Sequence, residues 1–276
     1  MKLQRVLADT ALKLSESGIE SAARDARILT AHALKVQISD LSLKINENVT
    51  ANIALNLEKF IQRRINREPI SRILGRREFW GRTFSINENV LDPRGDTETL
   101  INFIIEKPVQ TVLELGTGSG VIAVTLACEW SEVKVTATDI SEDALVLAEI
   151  NAAKFSVEDK IQFLKSDWFK DVEGMYDLII SNPPYIGWKE QDKISAEVAN
   201  FDPKTALFAG YDGLNAYKNI IPNLTKFLNS DGFVVLEIGA SQSSQVKDIF
   251  NSSGFFDVEI VKDLSGKDRA IVAKLA

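Results

Sequence analysis

The sequence has one cysteine, one histidine and no apolar run long enough to cross a membrane. A single cysteine, Cys128, excludes an intramolecular disulfide and a cage of thiolate metal ligands. A single histidine, His32, removes the side chain that most often serves as a general base near neutral pH and as a metal ligand. The composition therefore predicts no metal site, a reducing compartment such as the cytoplasm, and chemistry that does not depend on histidine.

The first residues, MKLQRVLADTALKLSES, form an amphipathic pattern rather than a hydrophobic secretion signal, which again favours the cytoplasm. The 276 residues suffice for about two domains. With 45% apolar and 26% charged residues, the composition is typical of a globular protein and not of a disordered or membrane-spanning one. We expect a monomer that has no contact with a membrane.

Basic residues are also in deficit, 32 against 39 acidic ones, which gives a net charge of −7. Proteins that bind a nucleic-acid backbone usually carry a basic excess, so we expect no stable nucleic-acid binding. The exception is a basic segment between Gln62 and Arg82, where seven arginines meet two glutamates. Charge runs are usually solvated surfaces, and the alternative interpretation is that this segment and the preceding helices dock a protein substrate.

Helical periodicity dominates the first 68 or so residues. Apolar residues recur at helical spacing in the first helix, in a second after the N-cap residue Ser21, and in a third from Thr50 until Pro69, which should end it. Glu78–Ile86 is rich in aromatic residues around one glycine and predicts a short β-hairpin. The pattern predicts three segments: 1–72, a helical domain for substrate docking; 73–92, a linker with the hairpin; and 93–276, an α/β domain.

Strand-like and helical runs alternate after Pro93, which is typical of a parallel sheet with helices on both faces. The last two β-rich runs are too close for a crossover helix and should form an antiparallel hairpin at a sheet edge. The fold class is therefore α/β, a doubly wound and mostly parallel sheet of seven strands with a small N-terminal helical bundle. The predicted strands are 111–115, 134–139, 161–165, 177–181, 233–238, 256–261 and 269–274.

A glycine-rich loop, Gly116-Thr-Gly-Ser-Gly120, lies between the first of these strands and a helix. Glycine is needed where a tight turn brings the backbone close to a ligand. A dinucleotide fingerprint requires a small residue where this chain has Val121, whereas Asp139 ends the next strand, where its carboxylate can bind a ribose diol. The combination favours an adenosine ligand without a pyrophosphate, and S-adenosylmethionine fits this description, with its amino-acid end at the loop amides.

Asp167 and Trp168 follow the third predicted strand at the same edge of the sheet. The flat indole can line an adenine pocket while Asp167 accepts from an exocyclic amine. A tryptophan that only covers the sheet edge is the equal alternative, because aromatic residues commonly fill cores.

The turn Asn182-Pro-Pro-Tyr185 comes directly after an apolar strand. In open α/β sheets ligands bind outside the carboxyl ends of the strands, so this turn should border the same site. Prolines carry no N–H, so the turn offers mainly acceptors, namely the carbonyls of Asn182 and Pro183 and the Asn182 side-chain oxygen. Two such acceptors would orient a planar NH₂ group for methylation without a strong base, and Tyr185 could pack against the flat face of that substrate.

Together these motifs resemble the release factor glutamine methyltransferase family. The likeness spans nearly the whole chain and also includes Glu78-Phe-Trp-Gly81, Val90-Leu-Asp-Pro-Arg-Gly-Asp-Thr-Glu98, Glu237-Ile-Gly239 and Lys262-Asp-Leu-Ser-Gly266. The resemblance implies a Rossmann-like, S-adenosylmethionine-dependent enzyme that forms S-adenosylhomocysteine as product. Its implied acceptor is the side-chain amide nitrogen, N5, of the glutamine in the Gly-Gly-Gln motif of peptide-chain release factors, and its implied effect is to modulate translation termination.

The motifs and the resemblance together assign the site residues. Those assigned to the cofactor are Gly116, Thr117, Gly118, Ser119, Gly120, Asp139, Asp167, Trp168 and Asn182. Those assigned to the substrate are Asn182, Pro183, Pro184, Tyr185, Arg94 and Glu98, of which Asn182, Pro183 and Tyr185 are taken as catalytic. The chain has Gly95 where the family usually has proline, and Asp202 where it usually has glutamate.

Three other functions remain open at this point. The first is an N-methyltransferase acting on an exocyclic amino group of adenine or guanine in DNA or RNA, because the Asn-Pro-Pro-Tyr turn can hold either kind of NH₂. The others are a non-enzymatic adenosyl-binding regulator, which the turn disfavours, and a dinucleotide oxidoreductase, which Val121 disfavours.

Overall fold

The structure, a computed structural model, describes residues 1–275. The helices are α1 (Leu3–Glu16), α2 (Ala22–Leu34), α3 (Ala51–Ile65), α4 (Ile70–Leu74), α5 (Glu98–Ile104), α6 (Val121–Glu129), α7 (Glu142–Lys154), α8 (Ala196–Phe201), α9 (Lys204–Leu207), α10 (Asn215–Ile220) and α11 (Ser243–Ser252). The strands are β1 (Arg76–Phe79), β2 (Arg82–Ser85), β3 (Thr111–Leu115), β4 (Lys134–Asp139), β5 (Ile161–Lys165), β6 (Tyr176–Ser181), β7 (Leu228–Glu237), β8 (Asp257–Lys262) and β9 (Asp268–Lys274).

These elements form two compact units. The first unit comprises residues 1–75 and 195–201, and the second comprises residues 76–194 and 202–276. The division falls after Gly75, so the hairpin of β1 and β2 belongs to the second unit, whereas α8 belongs to the first.

The first unit is helical, as the periodicity predicts. Its apolar core includes Leu14, Leu29 and Ile61, one from each of α1, α2 and α3. The prediction that Pro69 ends the third helix is wrong by four residues, because α3 ends at Ile65 and Pro69 instead precedes the short helix α4. Proline is well tolerated at a helix start, where its missing N–H would have no helical partner.

Most arginines of the segment between Gln62 and Arg82 are held by groups of their own unit. Arg64, only 6% exposed, donates to Asp25 at 2.7 Å and to Glu197 of α8 at 2.7 Å. Arg63 pairs with Glu68, Arg67 donates to the carbonyls of Ser17 and Gly18, Arg77 pairs with Asp92, and Arg82 pairs with Glu129. The expectation of a solvated basic surface is therefore wrong for Arg64, and the local charge of +5 is largely neutralised by these partners.

The second unit contains a seven-stranded sheet in the order β5-β4-β3-β6-β7-β9-β8. The first five strands in this order pair in parallel, and β9 pairs antiparallel with both β7 and β8. The predicted α/β class and the antiparallel hairpin at the edge are confirmed. Strand β7 begins five residues earlier than predicted, because Leu228 pairs with Tyr176 before a register shift.

Apolar side chains cover both faces of the sheet. Along β3, Val112 joins one core cluster, whereas Leu113 and Leu115 join the other. Successive side chains of a strand point to opposite faces, so the sheet has a hydrophobic layer on each side, as a doubly wound fold requires. Within residues 1–275, no helix combines the length and the hydropathy needed to cross a membrane.

Candidate active site

A cavity of about 430 Å³ opens at the carboxyl ends of β3, β4, β5 and β6. Its volume falls within the range of small-molecule sites. Six of the nine residues that the sequence assigned to a cofactor lie on its wall: Gly116, Ser119, Asp139, Asp167, Trp168 and Asn182. Asn182 and Pro184 of the Asn-Pro-Pro-Tyr turn line the same cavity. The parallel strands thus bring together groups that are up to 68 residues apart in the sequence.

The glycine loop is held in a shape that other residues adopt with strain. Gly116, Gly118 and Gly120 have φ angles of 71°, 56° and 79°, in the left-handed region. The Gly118 N–H donates to Asp139 Oδ2 at 2.9 Å, and the Thr117 N–H donates to the Thr138 carbonyl at 2.8 Å. Thr117, Gly118 and Gly120 are not among the cavity-lining residues, so the loop presents Gly116 and Ser119 to the cavity.

Gly120 also allows α6 and α7 to approach each other. A Cβ atom on Gly120 would lie 3.0 Å from the Cβ of Ala148 on α7. In a dinucleotide fingerprint, the last small residue allows close packing of the helix. In this chain Gly120, directly before Val121 begins α6, allows the close packing.

A buried carboxyl group, Glu114, supports the loop from below. Its Oε2 accepts the Thr117 hydroxyl at 2.7 Å and the Ala123 N–H at 3.0 Å, which joins β3, the loop and α6. Burial raises the pKa of Glu114 to about 8, against the opposing effect of these two hydrogen bonds. The carboxyl group therefore holds its proton in the folded protein at neutral pH.

Asp139 ends β4 with both carboxylate oxygens bonded to backbone N–H groups. Oδ2 accepts from Gly118 and Oδ1 accepts from Ser141 at 2.9 Å. Burial raises its pKa, and these hydrogen bonds oppose the rise. Each oxygen has a further lone pair, so the fixed carboxylate can still accept from a ligand hydroxyl.

Trp168 lies on the cavity wall and also packs against the core cluster on one face of the sheet. Its φ of 54° is rare for a tryptophan. The Ser166 hydroxyl donates to the Trp168 carbonyl at 2.9 Å and accepts the Asp171 N–H at 3.1 Å, which stabilises this turn. Trp168 thus both lines the cavity and packs against the sheet, so the two sequence interpretations of this residue are compatible.

Asn182 contacts a residue far away in the sequence. Its Nδ2 donates to Thr97 Oγ1 at 3.1 Å, and Thr97, which is 2% exposed, also lines the cavity. A carboxamide that donates through nitrogen to one neighbour directs its oxygen to the other side, so Oδ1 of Asn182 faces away from Thr97.

Tyr185 is directed away from the cavity wall. Its hydroxyl donates to Glu237 Oε1 at 3.3 Å, and its carbonyl accepts from Gln242 Nε2 at 2.9 Å. Neither Tyr185 nor Pro183 is among the cavity-lining residues. The structure therefore gives no contact to support the expectation that Tyr185 packs against a substrate, and that role stays a prediction.

Arg94 and Glu98 also lie outside the cavity lining. Arg94 Nη2 pairs with Asp202 Oδ2 at 2.5 Å, and Glu98 Oε1 accepts the Trp80 N–H at 2.8 Å. Asp96 pairs with Arg269 at 3.0 Å. These acidic and basic groups fasten the segment that leads to Thr97.

Sequence reasoning missed Thr97, Glu237, Gln242 and Arg269 as parts of this site. Thr97 and Glu237 belong to motifs that carried the family resemblance, but nothing in the sequence paired them with Asn182. Within residues 1–275, no group of three or more histidine, cysteine, aspartate or glutamate side chains has the arrangement of a metal site.

Known proteins have related domains and a related fold. Residues 87–201 match the methyltransferase small domain, and residues 5–75 match the PrmC N-terminal domain. The catalytic domain of hMettl16 in complex with an RNA hairpin has the same fold, with a TM-score of 0.61, 16% identity and coverage of 90% of this chain and 91% of that one. A methyltransferase from Pyrococcus furiosus aligns with a TM-score of 0.54, 20% identity and coverage of 71% and 89%. The match of residues 87–201 identifies a methyltransferase domain, and the fold agrees with that class.

Curated relatives narrow this class. The release factor glutamine methyltransferase of Cereibacter sphaeroides is 41% identical over 95% of both chains, and that of Rhodospirillum rubrum is 38% identical over 99% of this chain and 85% of its own. The chain belongs to the release factor glutamine methyltransferase family. It is also 38% identical to the bifunctional methyltransferase of Rickettsia prowazekii, of which it spans 56% of the length.

Proposed function

We propose that the protein transfers a methyl group from S-adenosylmethionine to the side-chain amide nitrogen of the glutamine in the Gly-Gly-Gln motif of peptide-chain release factors. The observation that carries the proposal is the position of Asn182, whose amide is fixed by Thr97 on the wall of a cavity that the glycine loop also borders. Family membership supports the choice of a glutamine amide over other NH₂ groups.

The residues around the cavity fit the cofactor. Gly116 and Ser119 offer a loop at the start of α6, where backbone N–H groups favour the anionic end of an amino acid. Asp139 is fixed at the end of β4 with lone pairs for a ribose diol, and Trp168 supplies a flat apolar wall for an adenine. When bound, S-adenosylmethionine would supply an electrophilic methyl group on a sulfonium.

The chain's own contribution to the reaction is to orient the acceptor amide. A glutamine NH₂ has two N–H donors and a delocalised lone pair, and it is a poor nucleophile. Asn182 Oδ1 and the Pro183 carbonyl would each accept one hydrogen, which favours electron density on the nitrogen. Displacement needs the reacting atoms in line and about 3 to 3.5 Å apart, so positioning supplies much of the rate. No histidine is required, since the proton can leave after the bond forms.

The first unit is proposed to dock the release factor. Its match to the PrmC N-terminal domain supports this role. Arg63, Arg64 and Arg67 are unsuitable contacts for a partner, because their side chains already bind groups of the same unit. The exposed arginines of α2, Arg24 and Arg27, are better candidates.

Incubation with methyl-labelled S-adenosylmethionine and either a release factor or nucleic acid tests the proposal, with the label mapped by mass spectrometry. We expect N5-methylglutamine in the Gly-Gly-Gln motif, and no label on a release factor whose motif is Gly-Gly-Asn. Label on adenine or guanine alone would overturn the proposal and favour the nucleic-acid alternative. The expected location is cytoplasmic, where release factors act.

The Asn182→Ala variant separates catalysis from cofactor binding. Loss of one aligned partner at the reacting group typically lowers kcat by about a hundredfold or more. We therefore expect kcat to fall at least a hundredfold while the Kd for S-adenosylmethionine, measured by calorimetry, stays within about tenfold of wild type. A kcat near that of wild type would remove Asn182 from the mechanism.

A further inference from the structure

We propose that Gln242 is a positioning residue that holds the Tyr185 end of the Asn182-Pro-Pro-Tyr185 turn in the orientation that the acceptor amide needs. Its side-chain amide joins this turn to two further segments, the loop 208–214 and the connection 238–242 between β7 and α11. The proposal rests on the proposed function for the identity of the acceptor, whereas the contacts of Gln242 belong to the free protein.

The Gln242 side chain is buried, and both ends of its carboxamide bind backbone groups. Nε2 donates to the Tyr185 carbonyl at 2.9 Å and to the Gly213 carbonyl at 3.4 Å, while Oε1 accepts the Gly239 N–H at 3.0 Å. A carboxamide has two N–H donors and one carbonyl oxygen, which match two backbone carbonyls and one N–H. An ionised glutamate of the same shape has no donor, and a methionine has neither a donor nor a strong acceptor.

The direction of this carboxamide is fixed close to its own backbone. Gln242 directly precedes α11, and its backbone N–H donates to the Gly239 carbonyl at 2.9 Å, while the Gly239 N–H donates to its side chain. Two hydrogen bonds thus join the same two residues and keep Oε1 on Gly239. The NH₂ group must therefore face the other two segments, where it meets the carbonyls of Tyr185 and Gly213.

Glycines allow the three segments to come within reach of one side chain. A Cβ atom on Gly213 would lie 2.3 Å from the Tyr185 carbonyl oxygen and 2.8 Å from Gln242 Nε2. A Cβ atom on Gly239 would lie 2.7 Å from Gln242 Oε1. A side chain at either glycine would therefore displace the carboxamide. Backbone carbonyls that meet away from water need a donor, and Gln242 supplies one to each of the two.

The turn has little freedom once both of its ends are held. Its two prolines have φ angles fixed by their rings. At one end Asn182 Nδ2 is bonded to Thr97, and at the other end the Tyr185 carbonyl is bonded to Gln242. Release of the Tyr185 carbonyl would let the turn rotate and tilt the Pro183 carbonyl, one of the two proposed acceptors of the glutamine NH₂. Gln242 therefore acts on the acceptor through the backbone of the turn.

The cavity wall next to the turn has hydrogen bonds of its own. Phe208, Ala209 and Gly210 line the cavity, and Gln242 does not. The Ile186 N–H donates to the Leu207 carbonyl at 2.9 Å, and the Ala209 N–H donates to the Ile186 carbonyl at 3.0 Å. Because these bonds do not involve Gln242, the wall should keep its place, and its affinity for the cofactor, when Gln242 is replaced.

Two variants, Gln242→Glu and Gln242→Met, remove the two donors in different ways. Gln242→Glu keeps the shape and the oxygen on Gly239, and Gln242→Met keeps the length without polar groups. At pH 8.5, where the new carboxyl group is ionised, we expect each variant to lower kcat at least tenfold while the KM for S-adenosylmethionine stays within threefold. Matched controls are Gln245→Glu and Gln245→Met, the same changes at an exposed glutamine of α11, which should keep kcat within twofold of wild type.

The carboxylate variant separates hydrogen bonding from the filling of space. If Gln242 only fills space, Gln242→Glu should behave as wild type, because its shape is unchanged. A kcat within threefold of wild type in Gln242→Glu would therefore overturn the proposal. A KM for S-adenosylmethionine raised at least tenfold with kcat unchanged would also overturn it, since Gln242 would then support the cofactor wall and not the turn.

Carbonyl ¹³C NMR tests the contact without any substrate. Tyr185-Ile186 is the only tyrosine–isoleucine pair in the sequence, so ¹³C-carbonyl tyrosine combined with ¹⁵N-isoleucine gives a single signal for this peptide bond. Loss of the donor should move the Tyr185 carbonyl signal upfield in both Gln242 variants and leave it in place in both Gln245 variants. Calorimetric binding of S-adenosylmethionine shows that each variant is folded.

An unmoved Tyr185 carbonyl signal in Gln242→Met would contradict the proposal. A wild-type enzyme that methylates no release factor would instead contradict the proposed function, and the carbonyl signal would still decide whether Gln242 holds the turn.

Discussion

Buried carboxyl groups distinguish this site at the scale of single residues. Glu114 and Glu237 are each 1% exposed or less and have pKa values raised to about 8 and about 7. In both cases burial is the largest cause. One group supports the loop proposed to hold the cofactor, and the other supports the turn proposed to hold the acceptor, so protonation near neutrality is expected to influence both stability and catalysis.

The pH dependence of stability follows from Glu114. Its pKa is raised in the folded protein, so the folded state binds the proton more tightly and the free energy of unfolding falls as the pH rises from about 4.5 to about 8. The slope cannot exceed about 1.4 kcal/mol per pH unit for one group. Glu114→Gln keeps an acceptor oxygen and removes the ionisation, so urea unfolding at pH 5.5, 7.0 and 8.5 should show a shallower decline than in wild type. Glu259→Gln, at an exposed glutamate, should follow wild type, and parallel curves for Glu114→Gln would contradict the assignment.

The pH dependence of catalysis follows from Glu237. Glu237 Oε1 accepts the Tyr185 hydroxyl at 3.3 Å, and an ionised carboxylate is the stronger acceptor, so a weaker hold on the Asn182–Tyr185 turn should lower kcat as the pH drops through about 7. Arg269 opposes this protonation and Asp96 promotes it. A profile of kcat from pH 5.5 to 8.5 should show a break near 7 that disappears in Glu237→Gln. A break that persists in this variant would assign the titration to another group.

Residue types at strand ends were predictable from the sequence, but their partners were not. Asp139, Trp168 and Asn182 line one cavity, as their places after β4, β5 and β6 predict. The contact of Asn182 with Thr97 joins residues 85 positions apart, and that of Tyr185 with Glu237 joins residues 52 apart. Such contacts depend on how helix α5 and strand β7 meet at one edge of the sheet, which local patterns do not determine.

At the scale of elements, the glycine loop combines backbone strain with close packing. Gly120 has a φ of 79° and lies against Ala148, whereas Gly174 has a φ of 87° and open space around it. Gly120→Ala should lower the free energy of unfolding by about 1–3 kcal/mol through strain alone, with a further loss from the contact. Thermal unfolding should show a larger loss of stability for Gly120→Ala than for Gly174→Ala. Adding Ala148→Gly to Gly120→Ala should restore part of the difference. Equal losses of stability at the two glycines would mean that α7 moves away from the new Cβ atom at no cost in stability.

Element boundaries show why sequence prediction succeeded unevenly. Strands β3, β4 and β5 agree with their predicted ranges at both ends, because each is a short parallel strand between clear turn signals, although β5, at the edge of the sheet, is only partly buried. The short helices α4, α8, α9 and α10 have four to six residues, too few for a hydrophobic period to be recognised. Three of these, α8, α9 and α10, lie between β6 and β7, and Ala206, on α9, lines the cavity. That wall was therefore not predictable from periodicity.

At the scale of the whole molecule, the net charge of −7 does not describe how charge is distributed along the chain. Most arginines of the segment between Gln62 and Arg82 bind groups of their own unit, so a partner is expected to meet other basic groups. Arg24→Glu with Arg27→Glu should raise the KM for the release factor at least fivefold and leave kcat unchanged, if α2 contributes to docking. Lys226→Glu with Lys267→Glu, exposed in the second unit, makes the same change in net charge and should leave the KM unaltered. Equal KM values for the two double variants would exclude α2 from docking.

The position of β9 has a consequence for how the chain matures. Strand β7 offers its free edge to β9 and to no other strand, and β8 is joined to the sheet only through β9. Synthesis proceeds from the N-terminus, so β7 keeps an unpaired edge and β8 stays unattached until residues 268–274 have been made. A nascent chain stalled before Asp268 would have five parallel strands formed, with the outer edge of β7 and the whole of β8 unpaired. Aggregation or chaperone binding should therefore be greatest for ribosome-bound chains of that length.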